Sequence, residues 1–219
     1  MIKEAVASSL REVEAKLKAG AHRIELCDNM TQLGTTPSYG MVKIASEMCR
    51  LHGAELAVII RPRGGDFCYN WYEFEAMQAD IQLLKSLSID AFVFGCLTPD
   101  QTLNTFQMKT LISLAHPIPT VCHMAFDYIY PAGQTKALQE LMDLGVQRLL
   151  THGGLPDTDL FDNLPRIAKF VTQSKGRIEI MPGGGLNSQN LPHLLELFPF
   201  QEVHGSAIVN EDYETPLDQ

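Results

Sequence analysis

The chain has no long hydrophobic run. Its longest apolar stretches, such as 57–60 and 91–94, fall far short of the roughly 20 residues of a membrane span, so no membrane partner is expected. The N-terminus lacks a basic region followed by an apolar stretch, and no secretory signal is expected. Basic residues are scarce. Lys and Arg number 17 against 26 Asp and Glu, a net charge of −9, which disfavours non-specific binding to nucleic acid or anionic lipid. Gly (16) and Pro (12) are too few in 219 residues for a fibrous or disordered chain. No CxxC occurs. The five cysteines, at 27, 49, 68, 96 and 122, are odd in number and widely spaced. They read as reduced thiols in a cytoplasmic protein, and no Cys/His spacing has zinc geometry. No linker or composition shift divides the chain, so one domain over 1–219 is expected.

What the sequence does hold is alternation. Short apolar runs at 2–6, 22–27, 55–61, 91–95, 119–123, 147–151, 177–181 and 202–204 read as eight strands. Amphipathic segments at 9–18, capped by Ser8, and at 39–51, 72–87, 105–115, 134–144, 160–172 and 189–197 read as seven helices. Strict β/α alternation implies parallel strands with helical crossovers. Strand ends recur every 23 to 36 residues, which suits a (β/α)8 TIM-like barrel. Only 15 residues follow His204, so the final helix is expected to be missing or vestigial. The tail at 210–219 or a second subunit would cover the uncovered strands. An open doubly wound sheet is the alternative, but the first strand-to-helix turn carries neither GxGxxG nor a Walker loop.

Side chains on a barrel strand alternate between the interior and the helix layer. With Ile24 and Leu26, Val58 and Ile60, and Ile178 and Ile180 facing helices, the opposite parity sends Arg23, Glu25, Cys27, Ile59, Arg61, Glu179 and Met181 inward. Glu4 and Val6 share one face of the first strand, and Glu202 and His204 one face of the last. This predicts a mouth at the strand C-termini, where barrel active sites sit, holding Glu4, Glu25, Arg61, Glu179 and His204, with Arg63, His123 and Thr151 reaching in. A structural ion network tying the strands together is the other reading of the same set.

Three loops refine the chemistry. In Arg61-Pro62-Arg63-Gly64-Gly65-Asp66, two arginines project from one side of an extended chain, the geometry of a carboxylate or phosphate clamp. Alternatively Arg63 pairs with Asp66. In His123-Met124-Ala125-Phe126-Asp127, the aspartate is placed to orient the imidazole as an acid/base pair. The Gly183-Gly184-Gly185 turn before the seventh helix offers amides to an anion. Candidate catalytic residues are thus Glu25, Arg61, His123, Asp127, Glu179 and His204, and Arg61, Arg63 and Gly183 to Gly185 would bind an anion. Tyr69, Trp71 and Tyr72 would form a lid or pack the third loop down.

Together, Arg23-Ile24-Glu25-Leu26-Cys27, Thr35-Thr36-Pro37-Ser38, Ile60 to Phe67, Phe92-Val93-Phe94-Gly95, His123, Ala125-Phe126-Asp127, Ile180 to Gly185, His204 and Ser206 resemble the CutC family of copper-homeostasis proteins. The resemblance implies a TIM-like barrel, a cytoplasmic location, self-association with a dimer favoured, and a role in copper handling with Cys27 as a Cu(I) ligand. The chain departs from the family pattern at Val6, where relatives that bind Cu(I) place a second Cys, at Met124 in place of Arg, and at His152 in place of Ser. Soft thiolates select Cu(I), so one thiolate predicts weak binding. The residues themselves equally suit a barrel enzyme acting on a small anionic or phosphorylated substrate, or a structural protein whose mouth is an ion network.

Overall fold

In the computed structural model, residues 1–210 are described. The strands are β1 (Ile2–Ala7), β2 (Arg23–Leu26), β3 (Glu55–Ile59), β4 (Ala91–Phe94), β5 (Thr120–Cys122), β6 (Arg148–Thr151), β7 (Glu179–Pro182) and β8 (Glu202–Gly205). The helices are α1 (Leu10–Lys18), α2 (Tyr39–His52), α3 (Trp71–Leu84), α4 (Thr105–Ala115), α5 (Pro131–Asp143), α6 (Leu160–Ser174) and α7 (Leu191–Leu197). The paired strands of the described residues run parallel, in the order β7-β6-β5-β4-β3-β2-β1-β8. The two end strands meet: a Cβ on Gly183, after β7, would lie 3.0 Å from His204 Cδ2 on β8. The result is a nearly closed eight-stranded TIM-like barrel, and the open-sheet alternative falls.

No helix follows β8 among the described residues. Ile208 and Val209, which follow β8, are buried in the main core cluster. The expected role of the tail beyond Asn210 lies outside the described residues.

Local chemistry sets the helix starts. The cap of α1 is Ser9, not Ser8: its hydroxyl accepts from Glu12 N–H, while the Ser8 N–H and hydroxyl both donate to the Glu12 carboxylate. Asn70 and Glu73 form a reciprocal capping box on α3. Two 3₁₀ turns, Met30–Gln32 and Met124–Tyr128, occur where the sequence carries no helical period.

The parity argument holds strand by strand. Ile24, Leu26, Leu56, Val58, Phe92, Phe94, Cys122 and Ile180 belong to the helix-facing core. The interior is filled by small side chains, Ala57, Ala91, Val93, Val121 and Leu150, together with Met181. This settles β5, whose two faces are compositionally mixed: Val121 points in and Cys122 out. Cys96 and Cys122 are buried as small hydrophobes in the helix layer.

Candidate functional site

Parity decides which side of the sheet a residue faces, but height along the strand decides which end of the barrel it serves. The inward polar residues divide accordingly. At the N-terminal end, Arg23 donates to Glu55 (2.6 Å), Glu202 (2.7 Å) and Glu4 (3.2 Å), and Arg148 donates to Glu202 (2.9 Å). Glu179, expected in the mouth, belongs here. It opens β7, registers with Arg148, and feels Glu202 and Arg148. Burial, then repulsion from Glu202, raises its carboxyl above the ordinary value. It lies three residues before Pro182, where β7 reaches the mouth. The structural ion network exists, therefore, and occupies the opposite end of the barrel.

The C-terminal end holds a cavity of about 340 Å³, lined by Glu25, Cys27, Arg61, His123 and His204 among apolar groups that include Val6, Ile59, Phe67, Met124 and Tyr128. A relay connects this mouth to the floor. His204 Nδ1–H donates to Glu4 Oε1 (2.7 Å), His204 Nε2 lies 3.8 Å from Glu25 Oε2, and Cys27 Sγ donates to the same Glu25 oxygen (3.6 Å). All four groups are buried. Burial, reinforced by the charge of Glu4, lifts Glu25 to about 7 even though His204 opposes the shift. For His204, burial acts to lower the pKa, but Glu25 and Glu4 outweigh it and raise it. Burial opposes ionisation of Glu4, which His204 and Arg23 nonetheless bring below the ordinary carboxylate value. The shifts favour Glu4 ionised and His204 protonated, an ion pair beside a Glu25 carboxyl held near 7.

The facing wall is cationic. Arg61 is fully buried, and its guanidinium donates to the carbonyls of Gln32, Leu33, Gly34 and Gly65. It also stands 4.8 Å over the Phe67 ring. Among the described residues none of its hydrogen-bond partners is a carboxylate, and Asp66, which feels its charge, is already paired with Arg63, so Arg61 has no carboxylate of its own beside the cavity. A buried unpaired charge is costly, and a ligand anion would offset it.

Arg63 is not part of this wall. Its guanidinium is consumed by Glu73 (2.5 Å), Asp66 (2.9 Å) and the Asp66 and Cys68 carbonyls. It pins the β3–α3 loop to the start of α3. Asp127 does not orient His123 either. It accepts from Thr151 Oγ1 (2.5 Å) and from the His152 amide (2.9 Å), tying the Met124–Tyr128 turn to the end of β6. Burial raises its carboxyl to about 7 against those bonds. His123 instead uses Nδ1 to accept from Ala125 N–H.

The glycine turn is shaped chiefly by space. The Gly183 amide donates to Thr151 O and is not free for an anion. A Cβ there would meet Leu150 at 2.5 Å, besides the His204 ring. Gly184 and Gly185 adopt left-handed φ values of +83° and +92° and line the cavity. Trp71 and Tyr72 are exposed, and the aromatics that line the mouth are Phe67 and Tyr128. The sequence reading gave neither a role. Phe67 stood inside a quoted motif, but no spacing rule ties a loop phenylalanine to a strand-end histidine.

The family model of the CutC family matches residues 1–209. The chain belongs to the CutC family. It is 41% identical over 209 residues to the family protein CutC of Streptococcus pyogenes serotype M6, covering 95% of this chain and all of that protein. It is 40% identical over 195 residues to the human copper homeostasis protein cutC homolog, covering 89% of this chain and 69% of that protein. The crystal structure of the putative copper homeostasis protein CutC from Streptococcus agalactiae matches with a TM-score of 0.92 at 37% identity, covering 95% of this chain and all of that one.

CutC membership raises the question of copper, and the residues give a clear answer on fit. Val6 and Cys27 share one small cluster with Ile59, although the register sets Val6 beside Glu25 and Cys27 lies two residues further along. Val6 cannot ligate. Cys27 is sealed from solvent, and its thiol is pushed well above the ordinary value, by burial first and Glu25 next. A thiol so held resists forming the thiolate that Cu(I) needs. Among the described residues no three His, Cys, Asp or Glu side chains are arranged to hold a metal ion. No helix among them is long and apolar enough to cross a membrane.

Proposed function

We propose that this chain serves copper homeostasis in the cytoplasm, the role stated in its human relative's name, and that its mouth binds a small anionic ligand and moves a proton on it. One observation carries the second part: a carboxyl poised near 7, Glu25, lines the mouth cavity and is wired through His204 to Glu4, opposite Arg61. A base poised near the working pH combines availability with driving force. Arg61 would hold the anion mainly by field, because its two terminal nitrogens already serve backbone carbonyls while its buried Nε has no hydrogen-bond partner among the described residues. The five free cysteines support a reducing compartment. Exposed Trp71, Tyr72 and Phe106 support self-association as a dimer.

Pyruvate or phosphate should raise the melting temperature by mass action, by about 2.7 kcal/mol of stability at a hundredfold excess over Kd. With pyruvate, which stays a monoanion across this range, the rise should be larger below pH 7, where protonated Glu25 no longer repels the anion, and Glu25→Gln should remove that dependence. No rise with either anion, or a pH-dependent rise with pyruvate that survives Glu25→Gln, would refute the reading.

Direct capture of Cu(I) is a separate matter, and the single sealed thiol argues for weak binding. In a competition titration against a chelator of known affinity, the natural sequence should lose its Cu(I) to the chelator. Val6→Cys should retain it, because two thiolates at the ends of adjacent strands suit a two-coordinate soft ion. Adding Cys27→Ala to that variant should abolish retention. Tight binding by the natural sequence that survives Cys27→Ala would point to another site, with Cys96 and Cys122 next in line.

A further inference from the structure

We propose that His123 is a permanently neutral N–H donor in the mouth, placed to bind the carbonyl oxygen of a 2-oxo acid while Glu25 removes a proton from the adjacent carbon. This inference rests on the reading of the mouth as an anion site and names its substrate class. The geometry fixes the tautomer. Nδ1 accepts the Ala125 N–H at 3.2 Å, so the ring proton sits on Nε2. That Nε2 is buried and has no hydrogen-bond partner among the described residues. A buried donor left unpaired is costly, a cost that a ligand oxygen would remove. The side chain is held firmly. A Cβ on Gly95 would lie 2.8 Å from Nδ1 and 2.9 Å from the Ala125 Cβ, so only glycine at that strand end lets the ring sit where it does. Burial, then the charge of Arg61, drives the imidazole down to about 3, which removes it as an acid or base at neutral pH.

The Phe67 ring, 5.0 Å from that of His123, shields the donor. Phe67 also lines an adjoining cavity of about 630 Å³, which shares Leu33, Arg61 and Tyr128 with the mouth.

Each end of a 2-oxo acid then has a counterpart. The carboxylate lies in the field of Arg61, and the ketone oxygen accepts from His123 Nε2–H. The C3–H bond breaks with its proton going to the Glu25 carboxylate. Its electron pair forms the C2–C3 double bond, and the ketone oxygen becomes an enolate oxygen facing the N–H donor. Return of a solvent-exchanged proton from Glu25 to C3 regenerates the ketone, and no other reactant is consumed.

Two measurements test this on the full chain. In ¹H–¹⁵N spectra of the imidazoles, the signal lost in His123→Gln should report the Nε2–H tautomer and stay unchanged from pH 5 to 8. A His123 that titrates in that range overturns the proposal. The second follows deuterium entering C3 of pyruvate, 2-oxobutyrate and hydroxypyruvate in D₂O by proton NMR. The protein should accelerate exchange of at least one over buffer, and Glu25→Gln should lose about 100-fold or more. His123→Ala should lose about 100-fold, and His123→Gln, which restores an N–H donor but no base, should recover most of it. Equal losses in His123→Ala and His123→Gln overturn the donor role. Exchange of none of the three overturns the substrate class, while a melting-temperature rise with pyruvate that persists would leave the anion site standing.

Discussion

Arg23→Met should lower the folding stability by about 3–5 kcal/mol, the cost of removing one partner from a buried charge cluster. Arg23 is 1% exposed and serves three carboxylates at once. Their fates differ when it leaves. Glu202 keeps Arg148, and Glu55 is half exposed and finds water. Glu4 is sealed and retains only His204, so most of the loss falls on it. Adding Glu4→Gln to Arg23→Met should therefore recover a large part of the loss, because no uncompensated charge then remains buried. Urea midpoints of the four proteins in this cycle read the effect directly. A loss under about 1 kcal/mol for Arg23→Met, in the range of exposed ion pairs, would mean that water reaches the cluster and that the barrel floor is not its seal.

The second large effect is in pH. Folded Glu25 keeps its proton up to about 7, against 4.5 as the ordinary value. Below 4.5 the folded and unfolded chains are both protonated, and Glu25 adds nothing to the slope. Between 4.5 and 7 the unfolded chain releases a proton that the folded chain keeps, so stability falls as pH rises, by about 1.4 kcal/mol per unit and roughly 3 kcal/mol across the window. Asp127, raised to about 7 by its burial, acts in the same direction. His123 acts in the opposite one: its folded pKa near 3 gives stability that is present above 6.5 and lost as pH falls toward 3. The profile of the natural sequence is the sum of these trends, so the informative quantity is a difference. The stability of Glu25→Gln minus that of the natural sequence should climb between pH 4.5 and 7 and level off above. A flat difference would place Glu25 in contact with bulk water and remove the basis for its poise.

Both experiments probe residues that the sequence singled out, and they show where sequence reasoning reaches its limit. Alternation of apolar residues fixed the inward face of each of the strands read this way, because a side-chain period of two leaves no freedom once one face is buried. Eight such strands with intervening amphipathic helices left little alternative to a parallel barrel, and no helix follows β8 among the described residues, in line with the expectation. The motifs around Cys27, Arg61, His123 and the glycine turn carried the family.

What the sequence could not state was height along the barrel and the choice among partners. Glu25 and Glu179 have the same parity, yet one lies at the mouth and the other beside Arg148 on the floor, because strand stagger is set by pairing between strands. Arg61 and Arg63 are two residues apart, yet one has no carboxylate of its own while Glu73, ten residues on in a helix that folds back, captures the other. Asp127 lies four residues from His123 and serves Thr151 instead, because the intervening 3₁₀ turn points its carboxylate to β6. Local pattern determined the elements and their faces. Only the tertiary structure, in which β1 pairs with β8 and so brings Glu4 and His204 together from opposite ends of the chain, decided which charges neutralise one another and which remain for a ligand.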